Sequence, residues 1–112
     1  MSSKSKGKRF ENLVADQLEQ AGWHIAFKSQ YVRFGSIDFD GLWDLIGIRR
    51  LEDRFPPGVQ WLFVQCKSRK MYGKEKQALT DWKKRYGFAG INCLIAVKVK
   101  DGRRTGIRYF EV

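Results

Sequence analysis

Two apolar segments near the middle of this 112-residue chain each carry one charged residue at a predicted strand boundary. Asp44 stands near the start of the first segment, residues 43–48, and Lys67 closes the second, residues 61–67. Charged side chains are uncommon in segments that otherwise have the composition of buried strands, so both residues are functional candidates. A carboxylate, the amide of Gln65 and an ammonium that meet at strand ends could hold a divalent metal ion against a phosphodiester.

The alternation of side chains along a strand predicts how these residues are arranged. Gln65 and Lys67 share one face of their strand, and Cys66 points to the other. The two strands are predicted to form an antiparallel pair with a long connection, so the start of one lies beside the end of the other and Asp44 could lie near Lys67. Glu11 lies beside the apolar stripe of a predicted helix, from which it could point towards the same strand ends.

The composition indicates a basic, globular protein that binds a polyanion. Twenty-two Lys and Arg residues against 12 Asp and Glu give a net charge of +10, which favours nucleic acid. Charge alone does not separate an enzyme from a plain nucleic-acid binder. The two cysteines, Cys66 and Cys93, lie in apolar segments without a CxxC pair, and His24 is the only histidine, so a zinc site is not expected. We find no secretory segment and no apolar stretch of about 18 residues, so a cytoplasmic protein without membrane contact is predicted.

The predicted elements place these residues in one α/β domain, residues 8–112, after a flexible basic tail, residues 1–7. The periodicity predicts helices and strands in the order αβββαββ, which is a central mixed β-sheet flanked by helices. The predicted helices are residues 8–21 and 74–86; the predicted strands are residues 23–27, 42–48, 59–67, 93–99 and 107–112, and residues 29–41 are predicted as a loop.

Three short motifs resemble those of a known enzyme superfamily. The segments Gly7-Lys8-Arg9-Phe10-Glu11, Trp43-Asp44 and Gln65-Cys66-Lys67 look like the motifs of the PD-(D/E)xK nucleases. Within that superfamily the likeness is greatest to the archaeal-type Holliday junction resolvases, which also occur in phages, and it covers most of the chain. The resemblance implies a restriction-endonuclease-like fold and a structure-selective DNA endonuclease that resolves four-way junctions by paired phosphodiester hydrolysis. Such an enzyme would serve DNA recombination and repair, in the host cytoplasm if it is phage-encoded.

The resemblance also implies roles for individual residues. Asp44 would be the principal ligand of Mg²⁺, for which Mn²⁺ could substitute, and Gln65 and the backbone carbonyl of Cys66 would complete the protein ligands. Glu11 would bind the metal directly or through water. Lys67 would orient the attacking water and stabilise the charged transition state.

The chain departs from the superfamily pattern at two positions. The proline that usually precedes the aspartate is Trp43, and the second carboxylate is Gln65, which should weaken metal binding because the site loses one negative charge. Either Asp38 or Asp40 could supply the missing carboxylate. Gln77, early in the second predicted helix, would correspond to a glutamine near the family's site.

Basic side chains flank the proposed site on both sides in sequence, as expected if the backbone of a duplex crosses it. They are Lys6, Lys8, Arg9, Arg69, Lys70, Lys74 and Lys76. No recognition-helix or zinc-finger signature is present, so binding should follow DNA shape and phosphates rather than base sequence.

One site per chain cannot cut a four-way junction symmetrically, so a homodimer is expected. The candidate interface residues are aromatic: Trp82, Tyr86, Phe88, Tyr109 and Phe110. Two alternatives remain open. One is another nuclease of the same superfamily, acting on flaps, mismatches or restriction-type sites; the other is a non-catalytic DNA-binding module.

Overall fold

The computed structural model describes residues 3–32, 35–52, 58–67, 73–87 and 91–112, and for residues 3–7, 31, 32, 35 and 36 it describes the backbone alone. Two helices and seven strands follow one another along this part of the chain. They are α1 (Ser3–Gln20), β1 (His24–Lys28), β2 (Gln30–Val32), β3 (Gly35–Ile37), β4 (Leu45–Leu51), β5 (Gly58–Lys67), α2 (Gly73–Tyr86), β6 (Ile91–Asp101) and β7 (Arg104–Glu111).

The first helix is amphipathic and buries the predicted apolar stripe, of which Phe10, Val14 and Leu18 are all buried. It begins at Ser3, so the predicted start at residue 8 is wrong. Its end is fixed by Gly22, whose φ of 98° lies in the left-handed region that glycine adopts without strain. Two backbone bonds, Gly22 N–H to the Glu19 carbonyl and Trp23 N–H to the Leu18 carbonyl, form a Schellman motif that turns the chain into β1.

Five strands form one mixed sheet in the order β1-β4-β5-β6-β7. β5 and β6 are parallel and are connected through α2, and the other neighbours are antiparallel. The predicted α/β class with a mixed sheet is therefore confirmed, as is the antiparallel pairing of β4 with β5. This register places the start of β4 beside the carboxyl end of β5, with Leu45 opposite Val64.

A second, two-stranded sheet differs from the prediction. β2 and β3 pair with each other within the segment predicted as a loop, so that prediction is wrong there, and the order of elements is αβββββαββ. The physical reason is local. Three-residue strands are too short to show an alternating pattern, and each of these two is stabilised by pairing with the other.

Alternate residues of β5 supply two separate parts of the core. Leu62 and Val64 pack with α1 on one face, and Phe63 packs with Leu79 of α2 on the other. Gln65 and Lys67 continue the alternation of Phe63 and therefore lie on the α2 face of the sheet. Within the described part of the chain, no helix is long and apolar enough to cross a membrane.

Candidate active site

Asp44 immediately precedes β4 and is held by three hydrogen bonds at the strand end. Its N–H donates to the Val64 carbonyl (2.9 Å), and its carbonyl accepts the Ser29 N–H (2.7 Å). Its carboxylate oxygen Oδ2 accepts the Cys66 N–H at 2.7 Å. The side chain is only 7% exposed. The backbone of β5 and of Ser29 therefore fixes Asp44 in a largely buried position, and such preorganisation suits a metal ligand or catalytic group.

Glu11 supplies a second buried carboxylate. It lies in the middle of α1 and is 4% exposed. Its Oε2 accepts a hydrogen bond of 2.8 Å from the hydroxyl of Ser29, a residue that is itself fully buried. The Lys8 ammonium donates to the Ser29 carbonyl at 3.0 Å. Ser29 thus links the Glu11 carboxylate to the Asp44 backbone, since its hydroxyl donates to Glu11 and its N–H donates to the Asp44 carbonyl.

The electrostatics confirm that the Asp44 carboxylate occupies an unusual environment. Burial, and to a lesser degree the negative charges of Glu11 and Asp38, raise the pKa of Asp44 to about 7. The hydrogen bond from the Cys66 N–H and the positive charge of Lys67 act in the opposite direction and lower this pKa. A carboxylate that is destabilised in this way at neutral pH is a favourable place for a cation.

Gln65 and Lys67 line an adjoining cleft of about 360 Å³ together with Lys74, Glu75 and Leu79 of α2. The Lys67 ammonium forms an ion pair of 3.0 Å with Glu75 Oε1. The buried Gln65 Oε1 has no hydrogen-bond partner among the described residues. The predicted sharing of a face by Gln65 and Lys67 is thus observed.

The donors at this strand end are suitable for Mg²⁺ in kind but few in number. Among the residues that the structure describes, no three His, Cys, Asp or Glu side chains gather as a metal-binding group. The oxygen donors are the carboxylates of Glu11 and Asp44, the partnerless Gln65 Oε1, and the Cys66 carbonyl. That carbonyl points to the same strand edge as the Cys66 N–H, which binds Asp44. Hard oxygen ligands of this type fit Mg²⁺, whose remaining positions are usually filled by water and phosphate.

The two loop carboxylates proposed as substitutes for Gln65 have different positions. Asp38 is close enough to Asp44 to raise its pKa. Asp40 has a left-handed backbone, with φ of 54°, and its Oδ2 accepts the indole N–H of Trp82 at 2.8 Å. Asp38 is therefore the better placed of the two to add negative charge to the site.

The remaining predicted residues are exposed or lie outside the described part of the chain. Gln77 is exposed on α2, where its amide donates to Asp81 at 2.8 Å rather than lining the cleft. Arg9, Lys74 and Lys76 are exposed, and Lys74 lines the cleft. Arg69 and Lys70 lie outside the described residues, and the Lys6 side chain is likewise not described.

Two residues at the site were missed by the sequence analysis. Ser29 has no signal in the sequence, because only its contacts with Glu11 and Asp44 distinguish it from a loop serine. Glu75 did have a signal in the sequence, because it is a single carboxylate between Lys74 and Lys76, in a segment that is otherwise predicted to contact DNA.

Comparisons of the chain with family models, with curated proteins and with solved structures found no match. The functional interpretation therefore depends on the residues and on the geometry described above.

Proposed function

We propose that this protein is a Mg²⁺-dependent DNA endonuclease of restriction-endonuclease-like fold that resolves four-way junctions. One observation carries the proposal: the buried carboxylates of Asp44 and Glu11 lie together at the carboxyl end of β5, where Lys67 also lies. Two buried carboxylates repel each other, and a cation bound between them would offset this repulsion. The PD-(D/E)xK motifs assign the same residues to metal binding.

The chemistry would be divided between these groups. Asp44, Glu11, Gln65 Oε1 and the Cys66 carbonyl would hold Mg²⁺, which supplies charge neutralisation at the phosphate and a more acidic water. Lys67 would donate to a non-bridging phosphate oxygen, where negative charge increases in the transition state. Glu75 holds the Lys67 ammonium in the cleft until the phosphate replaces it as the acceptor.

The positive net charge of the protein supports DNA as the substrate that contains the phosphodiester. The net charge is +10, Arg9, Lys74 and Lys76 are exposed, and Lys74 lines the cleft with Lys67. A homodimer would supply the two sites that symmetric cleavage needs, and it would work in the cytoplasm during DNA recombination and repair. Of the candidate interface residues, Tyr86 and Phe110 are exposed, Trp82 packs against Trp43, and Phe88 lies outside the described residues.

A cleavage assay on synthetic DNA tests the proposal. Four-way junctions, flaps, mismatched duplexes and linear duplexes are incubated with Mg²⁺, with Mn²⁺ or with chelator. We expect metal-dependent cleavage of the junction, and a loss of at least about 100-fold in Asp44→Asn and in Lys67→Ala with junction binding retained. Full cleavage by either variant would exclude the site. Cleavage of flaps or mismatches in preference to junctions would indicate another nuclease of the superfamily.

A non-catalytic DNA-binding module is the second candidate, and a specific observation favours it. The Lys67 ammonium is already paired with Glu75, as expected of a side chain that stabilises the fold rather than a transition state. This candidate predicts junction binding that is independent of metal and no turnover even with Mn²⁺. Sedimentation of the protein with and without junction DNA would test the dimer in either case.

A further inference from the structure

A second and larger cleft, of about 690 Å³, adjoins the candidate active site. Both clefts are lined by Leu42 and Ala78, so they are neighbours along the same side of α2. The volume is within the range of clefts that bind small organic groups. A polymer whose phosphate lies beside Lys67 in the first cleft would therefore place an adjacent residue of the polymer at the second.

The floor of this second cleft is a rigid aromatic surface. The ring of Trp82 lies 5.2 Å from that of Trp43 and 4.8 Å from that of Phe63, centroid to centroid. Its indole N–H is fixed by the hydrogen bond to Asp40. Tyr86 lies 5.2 Å from Trp82 and is 45% exposed. The series of rings thus begins in the core and ends at an aromatic side chain that is open to solvent, which is a suitable surface for stacking.

The charged side chains at the rim have the arrangement that a nucleotide needs. Lys84 and Arg85 line the cleft, are exposed, and form no hydrogen bond or ion pair with another described residue. Asp40 and Asp81 also line the cleft and keep their negative charge, but they accept hydrogen bonds from Trp82 and Gln77 and form no ion pair with Lys84 or Arg85. The cations are therefore available to a phosphate, next to a ring on which a base can stack.

We propose that the second cleft binds one unpaired nucleotide of the DNA strand next to the scissile phosphate. Its base stacks on Tyr86 and the edge of Trp82, and its phosphate contacts Lys84 and Arg85. Stacking requires an exposed base face, so this subsite selects branched or partly single-stranded DNA over an intact duplex. The placement next to a scissile phosphate rests on the proposed nuclease function, whereas the binding of an unpaired base does not.

A second copy of this chain is a poorer occupant of the same cleft. A twofold contact through Tyr86 would bring the Lys84 and Arg85 side chains of both copies together, in a protein whose net charge is already +10. With DNA, whose phosphates are negative, the interaction with Lys84 and Arg85 is attractive. The exposed cations thus favour nucleic acid over self-association at this surface.

Fluorescence anisotropy of the full chain in chelator, where no cleavage occurs, tests the subsite. The probes are a blunt duplex, the same duplex with a single-stranded arm, and a four-way junction. Tyr86→Ala should weaken binding of the armed duplex by about 10- to 100-fold and leave the blunt duplex within about twofold. Tyr86→Phe keeps the ring and should bind as the wild type does. Phe110→Ala is the control, because Phe110 is an exposed aromatic residue on the edge strand β7 and does not line this cleft.

Three outcomes would overturn the subsite. These are unchanged binding of the armed duplex by Tyr86→Ala, equal weakening for all probes, or conversion of a dimer to a monomer by this substitution. The last result would assign the cleft to contact between copies. Cleavage by the wild-type protein in Mg²⁺ is measured separately. A protein that binds the armed duplex through Tyr86 but never cleaves would refute the nuclease and leave the subsite in place.

Discussion

The most direct physical consequence of the site is that Asp44 should reduce the stability of the metal-free protein at neutral and alkaline pH. Its folded-state pKa, about 7, lies above the ordinary value of 3.8, so the folded protein binds this proton more tightly than the unfolded chain does. The resulting stabilisation is fully present below pH 3.8 and is lost as the pH rises through 7. A shift of this size, at about 1.4 kcal/mol per pH unit, corresponds to about 4 kcal/mol.

Asp44→Asn removes the charge and keeps an oxygen that can accept the Cys66 N–H. We therefore expect the variant to exceed the wild type in free energy of unfolding by about 2–4 kcal/mol at pH 8.5 and to differ little at pH 4.5. Urea denaturation followed by tryptophan fluorescence, in chelator and across this pH range, measures the difference. Asp16→Asn, which removes an exposed carboxylate from α1, is the control and should show no such pH dependence.

Mg²⁺ supplies a second arm of the same experiment. An ion that binds the folded state alone stabilises it, and the stabilisation increases with its concentration. We expect Mg²⁺ to raise the free energy of unfolding of the wild type at pH 8.5 and to have a much smaller effect on Asp44→Asn. A variant that is less stable than the wild type at pH 8.5 without metal, or a difference that is independent of pH, would refute the reasoning.

Three further substitutions test separate parts of the structure. Gln65→Glu should strengthen Mg²⁺ binding by about tenfold, because it restores a third carboxylate, and calorimetric titration would measure the change. Ser29→Ala should cost about 1–3 kcal/mol of stability, because it removes the hydroxyl donor from the buried Glu11 carboxylate, and urea denaturation measures that loss. Gly87→Ala should cost a similar amount, since a Cβ at this position would collide with the Lys83 carbonyl; an unchanged melting temperature would contradict this.

The parts of the fold that the sequence predicts are those set by long apolar periodicities. The two segments around Asp44 and Lys67 are apolar enough to be identified as strands, and their antiparallel pairing follows from their order and connection. The two-residue period then places Gln65 and Lys67 on one face. The β2–β3 pair escapes this reasoning, because the stability of a three-residue strand depends on its partner rather than on its own composition.

The contacts within the site could be predicted only in part. The resemblance to the nuclease motifs predicts that Glu11 and Asp44 approach each other. That Ser29 contacts both residues depends on where the chain passes between β1 and β2. The ion pair of Lys67 with Glu75 has a similar origin. It depends on where α2 packs over the end of β5, which no periodicity determines. Tertiary packing brings together side chains that are far apart in sequence, and local sequence periodicity does not predict that packing.

The state of Lys67 decides between the two candidate functions, and its ion pair does not favour the non-catalytic one as strongly as it first suggests. The Lys67 and Glu75 side chains are 24% and 41% exposed, so solvent screens their attraction. Pairs of this kind contribute about 0–1 kcal/mol, and a phosphate oxygen can therefore replace Glu75 at little cost. Solvent does not screen Asp44 in the same way, because its carboxylate is buried and its pKa is raised to about 7. A metal-dependent nuclease would use this carboxylate as a ligand, whereas a binding module would use it only as the acceptor of the Cys66 N–H.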